Sequence, residues 1–119
     1  MPHIKLEHTE FIETSLISSV FKQLRGILIE NAGIKEENCK CKAAHIPIYV
    51  IGNNESGHFY HLEISFLEGK SEEIKQRIGQ FSLETIKKYF PNRNDDIPKQ
   101  LSVEIREMNP KYYFTTNSL

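Results

Sequence analysis

The chain has too few cysteines for a disulfide framework. Only two occur among its 119 residues, Cys39 and Cys41, and a single residue separates them on a stretch that is predicted to be extended. A disulfide requires a specific separation and orientation of its two cysteines, which such close neighbours on a strand are poorly placed to provide. The sequence therefore predicts a fold that depends on its core and not on covalent cross-links.

An excess of either charge and a long apolar run are also absent. Fifteen Lys and Arg residues against sixteen Asp and Glu residues give a formal net charge of -1 at pH 7, which provides no electrostatic basis for nucleic-acid binding. The apolar runs are far shorter than the roughly 20 residues that span a bilayer, and no signal peptide precedes Pro2. We therefore expect a soluble, cytoplasmic protein with one domain, residues 1–119, and no membrane partner.

The first half of the chain alternates between strand and helix patterns. Apolar and charged residues alternate over residues 4–7 and predict a strand that ends near His8. A helix follows, with Thr14 or Ser15 as its predicted N-cap and Gly33 suited to left-handed backbone at its end. Its apolar stripe recurs at spacings of three and four residues: Leu16, Ile17, Val20, Phe21, Leu24, Ile27 and Leu28.

A second extended stretch is predicted from about Lys40 to Ile51. The residues 53–57 (Asn-Asn-Glu-Ser-Gly) have turn chemistry, and an alternating stretch over residues 58–66 returns as a third strand. The sequence therefore predicts a hairpin between the second and third strands.

A second helix is predicted to begin at the break formed by residues 69–71 (Gly-Lys-Ser). Acidic residues in its first turn, at 72 and 73, and lysines in its last, at 87 and 88, suit the helix dipole. Its predicted buried stripe consists of Ile74, Ile78, Phe81, Ile86 and Tyr89. A fourth strand then alternates over residues 101–106, and Tyr112–Phe114 is a surplus aromatic segment of the kind that often docks on a partner subunit.

The order strand, helix, strand thus occurs twice, as a pseudo-repeat of about residues 2–51 and 58–107. Each half is predicted to form a split βαβ unit with two parallel strands beside one helix. The fold class that follows is α+β: a four-stranded sheet with both helices on one face. The other face then requires cover, for which oligomerisation is an economical solution.

Pro2 can provide a reactive group that few residues offer. Methionine is usually removed when the second residue is as small as proline, and removal of Met1 leaves a secondary amine at the head of a strand. An ordinary α-amine titrates near ~7.7–8.0, and burial or a neighbouring cation lowers that pKa. Such an amine accepts and returns a proton at neutral pH. The alternative is that proline at position two is merely common.

Across nearly its whole length the chain resembles the 5-carboxymethyl-2-hydroxymuconate isomerase family of the tautomerase superfamily. The resemblance rests on the order of several short motifs. These are Pro2-His3-Ile4, Cys39-Lys40-Cys41-Lys42 with His45, Gly69-Lys70-Ser71, Val103-Glu104-Ile105, and Asn109-Pro110 with Phe114 beyond.

The resemblance implies a homotrimer of double βαβ subunits, no cofactor, and Pro2 as the catalytic general base. It also implies a dienol diacid from homoprotocatechuate catabolism as substrate, whose proton Pro2 moves from a hydroxyl to a carbon. Cations hold the carboxylates in this family, and they are arginines. Here the matching positions are Lys40, or Lys42, and Lys70, with Phe114 as a further substrate-binding residue. Lysine lacks the two-pronged grip of arginine on carboxylate, so this sequence departs from the family pattern where the substrate is held.

Each of these residues also has a plainer interpretation. Lys70 at a helix start is as well explained by solvation, and Lys40 by a position on the polar face of a strand. Phe114 is better explained by packing at a subunit interface than by lining a pocket. His3 on a strand is more typical of a structural hydrogen bond than of proton transfer.

Two alternatives concern the class of protein. A zinc set of Cys39, Cys41 and His45, with His58 or His61 as fourth ligand, fits poorly with the spacing of common structural zinc sites. A non-catalytic trimeric ligand-binding or interaction protein on the same fold is the alternative to an isomerase, because fold alone does not fix function.

Overall fold

The computed structural model describes residues 1–53, 56–92 and 97–116. The helices and strands are, in chain order, β1 (His3–His8), α1 (Thr14–Ala32), β2 (Lys40–His45), β3 (His58–Leu67), α2 (Glu72–Tyr89) and β4 (Lys99–Met108). Single 3₁₀ turns at Glu36–Asn38 and Pro110–Tyr112 precede β2 and follow β4. None of the helices in these ranges is long and apolar enough to cross a membrane.

The four strands form one mixed sheet in the order β2-β1-β3-β4. β1 pairs in parallel with β2, with His3 opposite Lys40, and β3 pairs in parallel with β4. The two parallel pairs meet where β1 and β3 run antiparallel, with His3 opposite Ser65. The predicted α+β class, with two strand-helix-strand units in one four-stranded sheet, is confirmed.

The predicted hairpin between the second and third strands is wrong, because β1 lies between them. Since α1 returns the chain to the start of the sheet, β2 runs parallel to β1 on its outer side and leaves the inner side of β1 to β3. The predicted stretch Lys40–Ile51 is a strand only as far as His45, shortly before Pro47, which cannot donate a ladder hydrogen bond. Two residues of the predicted turn, Asn54 and Glu55, lie outside the described residues.

The core lies between one face of the sheet and the two helices. Alternate residues of β1 and β3 point towards the helices, and the inward stripes of α1 and α2 cover them. The buried apolar residues on these four elements are Ile4, Leu6, Val20, Leu24, Leu28, Tyr60, Leu62, Ile64, Phe66, Ile78 and Ile86. One member of the predicted stripe is wrong: Phe81 is 42% exposed, and the next residue, Ser82, takes the buried position.

Three of the four features predicted for the helix ends are confirmed. Ser71 caps α2 by accepting a hydrogen bond from the Ile74 N–H at 3.2 Å, and Gly33 ends α1 in left-handed backbone at φ 63°. The predicted cap of α1 is displaced by one residue, since Thr14 is already helical and Glu13 precedes it without a side-chain cap. The last turn of α2 holds Lys87 and Lys88, as predicted.

The sheet face opposite the helices is polar and charged. Hydrogen bonds join His61 Nδ1 to Ser102 Oγ at 2.7 Å and Arg106 Nε to Glu104 at 3.0 Å, and Arg106 also lies 3.7 Å from Glu63. Other side chains at alternating positions of this face are His3, Lys5, Glu7, Lys40 and Lys42. Any subunit that covers this face must therefore complement its charges and cannot rely on apolar packing alone.

Ser82 provides a test of the core. Within the described ranges its buried hydroxyl has no hydrogen-bond partner, and an unsatisfied buried polar group is costly. Ser82→Ala should raise the free energy of unfolding by about 1 kcal/mol, measured by urea denaturation. Ser18→Ala, on the exposed side of α1, measures the gain from helix propensity alone. An equal gain in both variants would show that the Ser82 hydroxyl is not unsatisfied.

Candidate functional site

Pro2 lies at the head of β1 with its side chain fully buried. Its carbonyl oxygen accepts a hydrogen bond from the Lys40 backbone N–H at 3.1 Å. This contact extends the parallel ladder of β1 and β2 by one residue, so the start of β2 lies directly beside Pro2. The register of the sheet thereby places Lys40 next to the predicted base.

Lys70 reaches the same end of the sheet from the other side of β1. β3 runs antiparallel to β1, so the end of β3 lies near the start of β1. The chain then turns at Gly69, whose φ of 124° is unfavourable for residues with a side chain. The half-buried Lys70 ammonium donates to the carbonyl oxygen of Ala32 at 3.4 Å, at the end of α1, where the helix dipole favours a cation.

The electrostatic field at this end lowers the basicity of an amine. Burial lowers the pKa of the Met1 amine below its ordinary value, the Lys40 ammonium lowers it further, and Lys70 contributes in the same direction. The Cys39 thiol opposes them. Because both lysines act on one amine, the structure brings the predicted set of Pro2, Lys40 and Lys70 to one end of the sheet.

Lys42 lies further from the amine than Lys40. Both lysines project from the same face of β2, and both lower the pKa of His3, for which burial is the largest cause. Of these two lysines, Lys40 but not Lys42 is among the groups that lower the pKa of the Met1 amine. Of the two lysines that the sequence left open, Lys40 is thus the one beside Pro2.

His3 makes a hydrogen bond that the sequence did not reveal. Its Nε2 lies 3.0 Å from the Tyr113 hydroxyl, and the two rings meet edge-on with centroids 5.9 Å apart. The structural interpretation of His3 therefore describes it correctly. Tyr113 belongs to the surplus aromatic segment, and only its position beside Phe114 in the sequence pointed to it.

Phe114 is 86% exposed, and Tyr112 is 76% exposed. The Phe114 ring does not pack into the core of its own chain. The structure therefore agrees with the expectation that this segment offers surplus aromatic side chains.

Arg25 is a further cation that the sequence analysis missed. It lies half-buried on α1, 3.8 Å from Glu36, and its hydrogen bond to Cys41 opposes the effect of burial, which raises the pKa of that thiol. Its only sequence signal is a charged residue immediately after Leu24 in the apolar stripe. Arg25 therefore supports the strand β2 from the helix side of the sheet, opposite to the side of Lys40.

The residues of the alternative zinc set are not brought together. Cys41 packs towards the helices, whereas His61 lies on the opposite face with Ser102. Throughout residues 1–53, 56–92 and 97–116, no three His, Cys, Asp or Glu side chains are grouped to hold a metal ion.

Three solved structures illustrate the likeness of this fold to known proteins. A 5-carboxymethyl-2-hydroxymuconate isomerase from Deinococcus radiodurans R1 is 24% identical with a TM-score of 0.84, over 98% of this chain and 90% of that chain. A 5-carboxymethyl-2-hydroxymuconate delta-isomerase is 14% identical with a TM-score of 0.75, over 99% and 89%. A fused 4-OT protein, described as a wild-type symmetric trimer, is 11% identical with a TM-score of 0.77, over 98% and 94%.

At these identities the solved structures establish the fold alone, and no curated protein matches the chain in sequence. The family assignment rests on a different finding. The sequence model of 5-carboxymethyl-2-hydroxymuconate isomerase matches residues 2–119, from the predicted base through the aromatic segment. The chain belongs to the 5-carboxymethyl-2-hydroxymuconate isomerase family.

Proposed function

We propose that the protein is a cofactor-independent keto–enol tautomerase that acts on a small unsaturated carboxylic acid, with Pro2 as its general base after removal of Met1. The observation that carries the proposal is that burial, Lys40 and Lys70 lower the pKa of the Met1 amine, at the end of the sheet where removal of Met1 leaves the Pro2 amine. Family membership supports an isomerase. The family substrate, 5-carboxymethyl-2-hydroxymuconate from homoprotocatechuate catabolism, is the first substrate to test.

The proposed reaction requires one base and no redox chemistry. The unprotonated Pro2 nitrogen accepts the proton of the substrate's enol hydroxyl, and the C–O bond becomes a carbonyl. The same nitrogen then delivers a proton to the carbon at the far end of the conjugated system, which leaves the enzyme unchanged. An amine with a lowered pKa is suited to both steps because a larger fraction of it is unprotonated at neutral pH and its conjugate acid releases a proton readily.

Lys40 and Lys70 supply the positive charge that a carboxylate substrate needs. Their ammonium groups attract the acid and stabilise the negative charge that develops on the substrate oxygen. They also keep the amine unprotonated by repulsion of its charged form. The Ala32 carbonyl holds Lys70 in position, so the ammonium is directed without an ion pair to a carboxylate of the described residues.

A trimer is the proposed assembly, and three features support it. β2 and β4 are edge strands. A groove of about 670 Å³ between α2 and β4 exposes parts of Leu101, Val103 and Ile105. Phe114, which follows β4 in the sequence, is also exposed. The fused 4-OT protein of the same fold is a symmetric trimer. A cyclic assembly in which each copy covers the next satisfies these surfaces together.

Pro2 is the direct test of the proposed activity. In protein with Met1 removed, as verified by intact mass, Pro2→Ala should lower kcat/KM for a simple enol such as phenylenolpyruvate by about 10²-fold, the lower range for loss of a general base. The residual activity reflects the primary amine of alanine. Equal activity in the two proteins would exclude Pro2 as the base. Retention of Met1 in the mature protein would instead favour the non-catalytic alternative, since the Pro2 nitrogen would be an amide.

The lysines should affect binding and the pH profile together. Lys40→Ala or Lys70→Ala should raise KM for a diacid by roughly 2- to 5-fold, the factor for a solvent-screened ion pair of up to ~1 kcal/mol, and should affect an uncharged enol less. Loss of a cation raises the pKa of the amine, so the low-pH limb of kcat/KM should move to higher pH. Steady-state kinetics between pH 5 and 9 measure both effects.

The control for both lysines is Lys22→Ala, an exposed lysine on α1. It changes the net charge equally and should leave the pH limb in place. Kinetics that remain unchanged in both site variants would show that the lysine assignments are wrong. Lys70→Arg then tests the identity of the substrate. Higher activity of this variant on the muconate diacid would indicate that the protein shares the family substrate but binds it more weakly through lysine than through arginine.

The trimer is tested by light scattering at micromolar concentration, which should give three times the mass of 13.9 kDa. Truncation before Tyr112 should weaken the assembly and lower the activity together. A monomeric wild type would refute the proposed assembly.

A further inference from the structure

The segment that follows β4 is attached to the Pro2 end of the sheet by a side-chain hydrogen bond across 110 residues of sequence. The bond joins His3 Nε2 to the Tyr113 hydroxyl at 3.0 Å. The other hydrogen bonds of residues 109–112 are local, from the N–H groups of Lys111 and Tyr112 to Asn109. The contact with His3 therefore attaches the segment to the first strand of the sheet.

The bond has a well-defined chemical state. Burial, Lys40, Lys42 and the N-terminal amine all lower the pKa of His3, so its imidazole is neutral at neutral pH. A neutral imidazole has one N–H donor and one acceptor nitrogen, and a tyrosine hydroxyl complements either. His3 adjoins Pro2 in the chain, so the position of Tyr113 is tied to the residue that follows the proposed base.

The backbone at Tyr113 determines where the next side chain points. Tyr113 is extended, with φ -108° and ψ 110°, and successive side chains of an extended chain point in opposite directions. Because the Tyr113 ring points to His3 on its own sheet, the Phe114 ring points away from that sheet. Its 86% exposure agrees with this direction.

We infer that His3 and Tyr113 are positioning residues, whose hydrogen bond holds Phe114 outward so that its ring covers the substrate site of a neighbouring subunit. The inference rests on the proposed function and the proposed trimer. It assigns to His3 the task of linking the head of β1 in one subunit to the active site of the next. The apolar ring of Phe114 suits the unsaturated carbon chain of the substrate, whose carboxylates the lysines attract.

A double-mutant cycle tests the link between Tyr113 and Phe114. Tyr113→Phe removes only the hydroxyl and should raise KM for phenylenolpyruvate several-fold, with kcat and the low-pH limb unchanged. Phe114→Ala should raise KM at least as much, and the double variant should be no worse than Phe114→Ala alone. Tyr112→Phe removes an exposed hydroxyl from the preceding residue and should have no effect. Additive effects of the two substitutions would overturn the inference.

Mixed trimers test the passage between subunits. Pro2→Ala and Phe114→Ala subunits, each impaired alone, should regain a fraction of low-KM activity when they are co-assembled, because some sites then combine an intact Pro2 with an intact Phe114 from the neighbour. Failure to regain it, in trimers whose mixed composition is verified by native mass spectrometry, would overturn the assignment of Phe114 to the neighbouring site.

Hydrogen–deuterium exchange tests the hydrogen bond without reference to activity. Amides of residues 111–114 should exchange faster in Tyr113→Phe and in His3→Ala, and more slowly in His3→Gln than in His3→Ala because the amide of glutamine retains a partner for the hydroxyl. Unchanged exchange in both Tyr113→Phe and His3→Ala would overturn the link itself. A wild type without tautomerase activity would instead refute the proposed function, whatever the exchange result.

Discussion

The antiparallel pairing of β1 with β3 is the constraint on which the site depends. Within each half of the chain the strands are parallel, so each half alone places the starts of its two strands together. Joining the halves through β1 and β3 brings the end of β3 to the start of β1. Lys70 follows β3 and Pro2 begins β1, so this one pairing places a cation from the second half beside the amine of the first.

The two ends of the sheet differ in how their polar groups are satisfied. At the far end the Tyr60 hydroxyl donates to the Glu10 carboxylate, and His8 Nδ1 donates to the Glu10 carbonyl at 2.7 Å, so donors meet acceptors. At the Pro2 end the charge that acts most on the Met1 amine is that of Lys40, and Lys70 acts in the same direction, so both repel its protonated form. Paired groups stabilise the first end, whereas like charges at the second disfavour protonation of the amine.

Much of the fold follows from local sequence, because periodicity and caps act over a few residues. Ser71 and Gly33 illustrate this, since each terminates a helix through contacts with its own turn. The hairpin prediction failed because strand order depends on which edge of β1 remains free, a property of the whole sheet. The prediction that Phe81 is buried failed for a related reason. Helical spacing allows either Phe81 or Ser82 on the inward side, and only packing against the sheet decides between them.

The residues of the candidate site could be predicted as far as the family resemblance named them. Pro2, Lys40 and Lys70 were named from short motifs, and the sheet then places them at one end. The bond between His3 and Tyr113 was beyond sequence reasoning, because 110 residues separate its partners and neither residue type requires the other.

The charged open face ties assembly to the site. His3 and Lys40 belong to the same face as Glu63, Glu104 and Arg106, and that face has a basic side at β1 and β2 and more carboxylates towards β4. In a cyclic contact the basic side of one copy can face the acidic side of the next. His3 also holds the aromatic segment. In a cyclic arrangement, the same rotation between subunits would therefore determine both the charge pairing and the covering of each site.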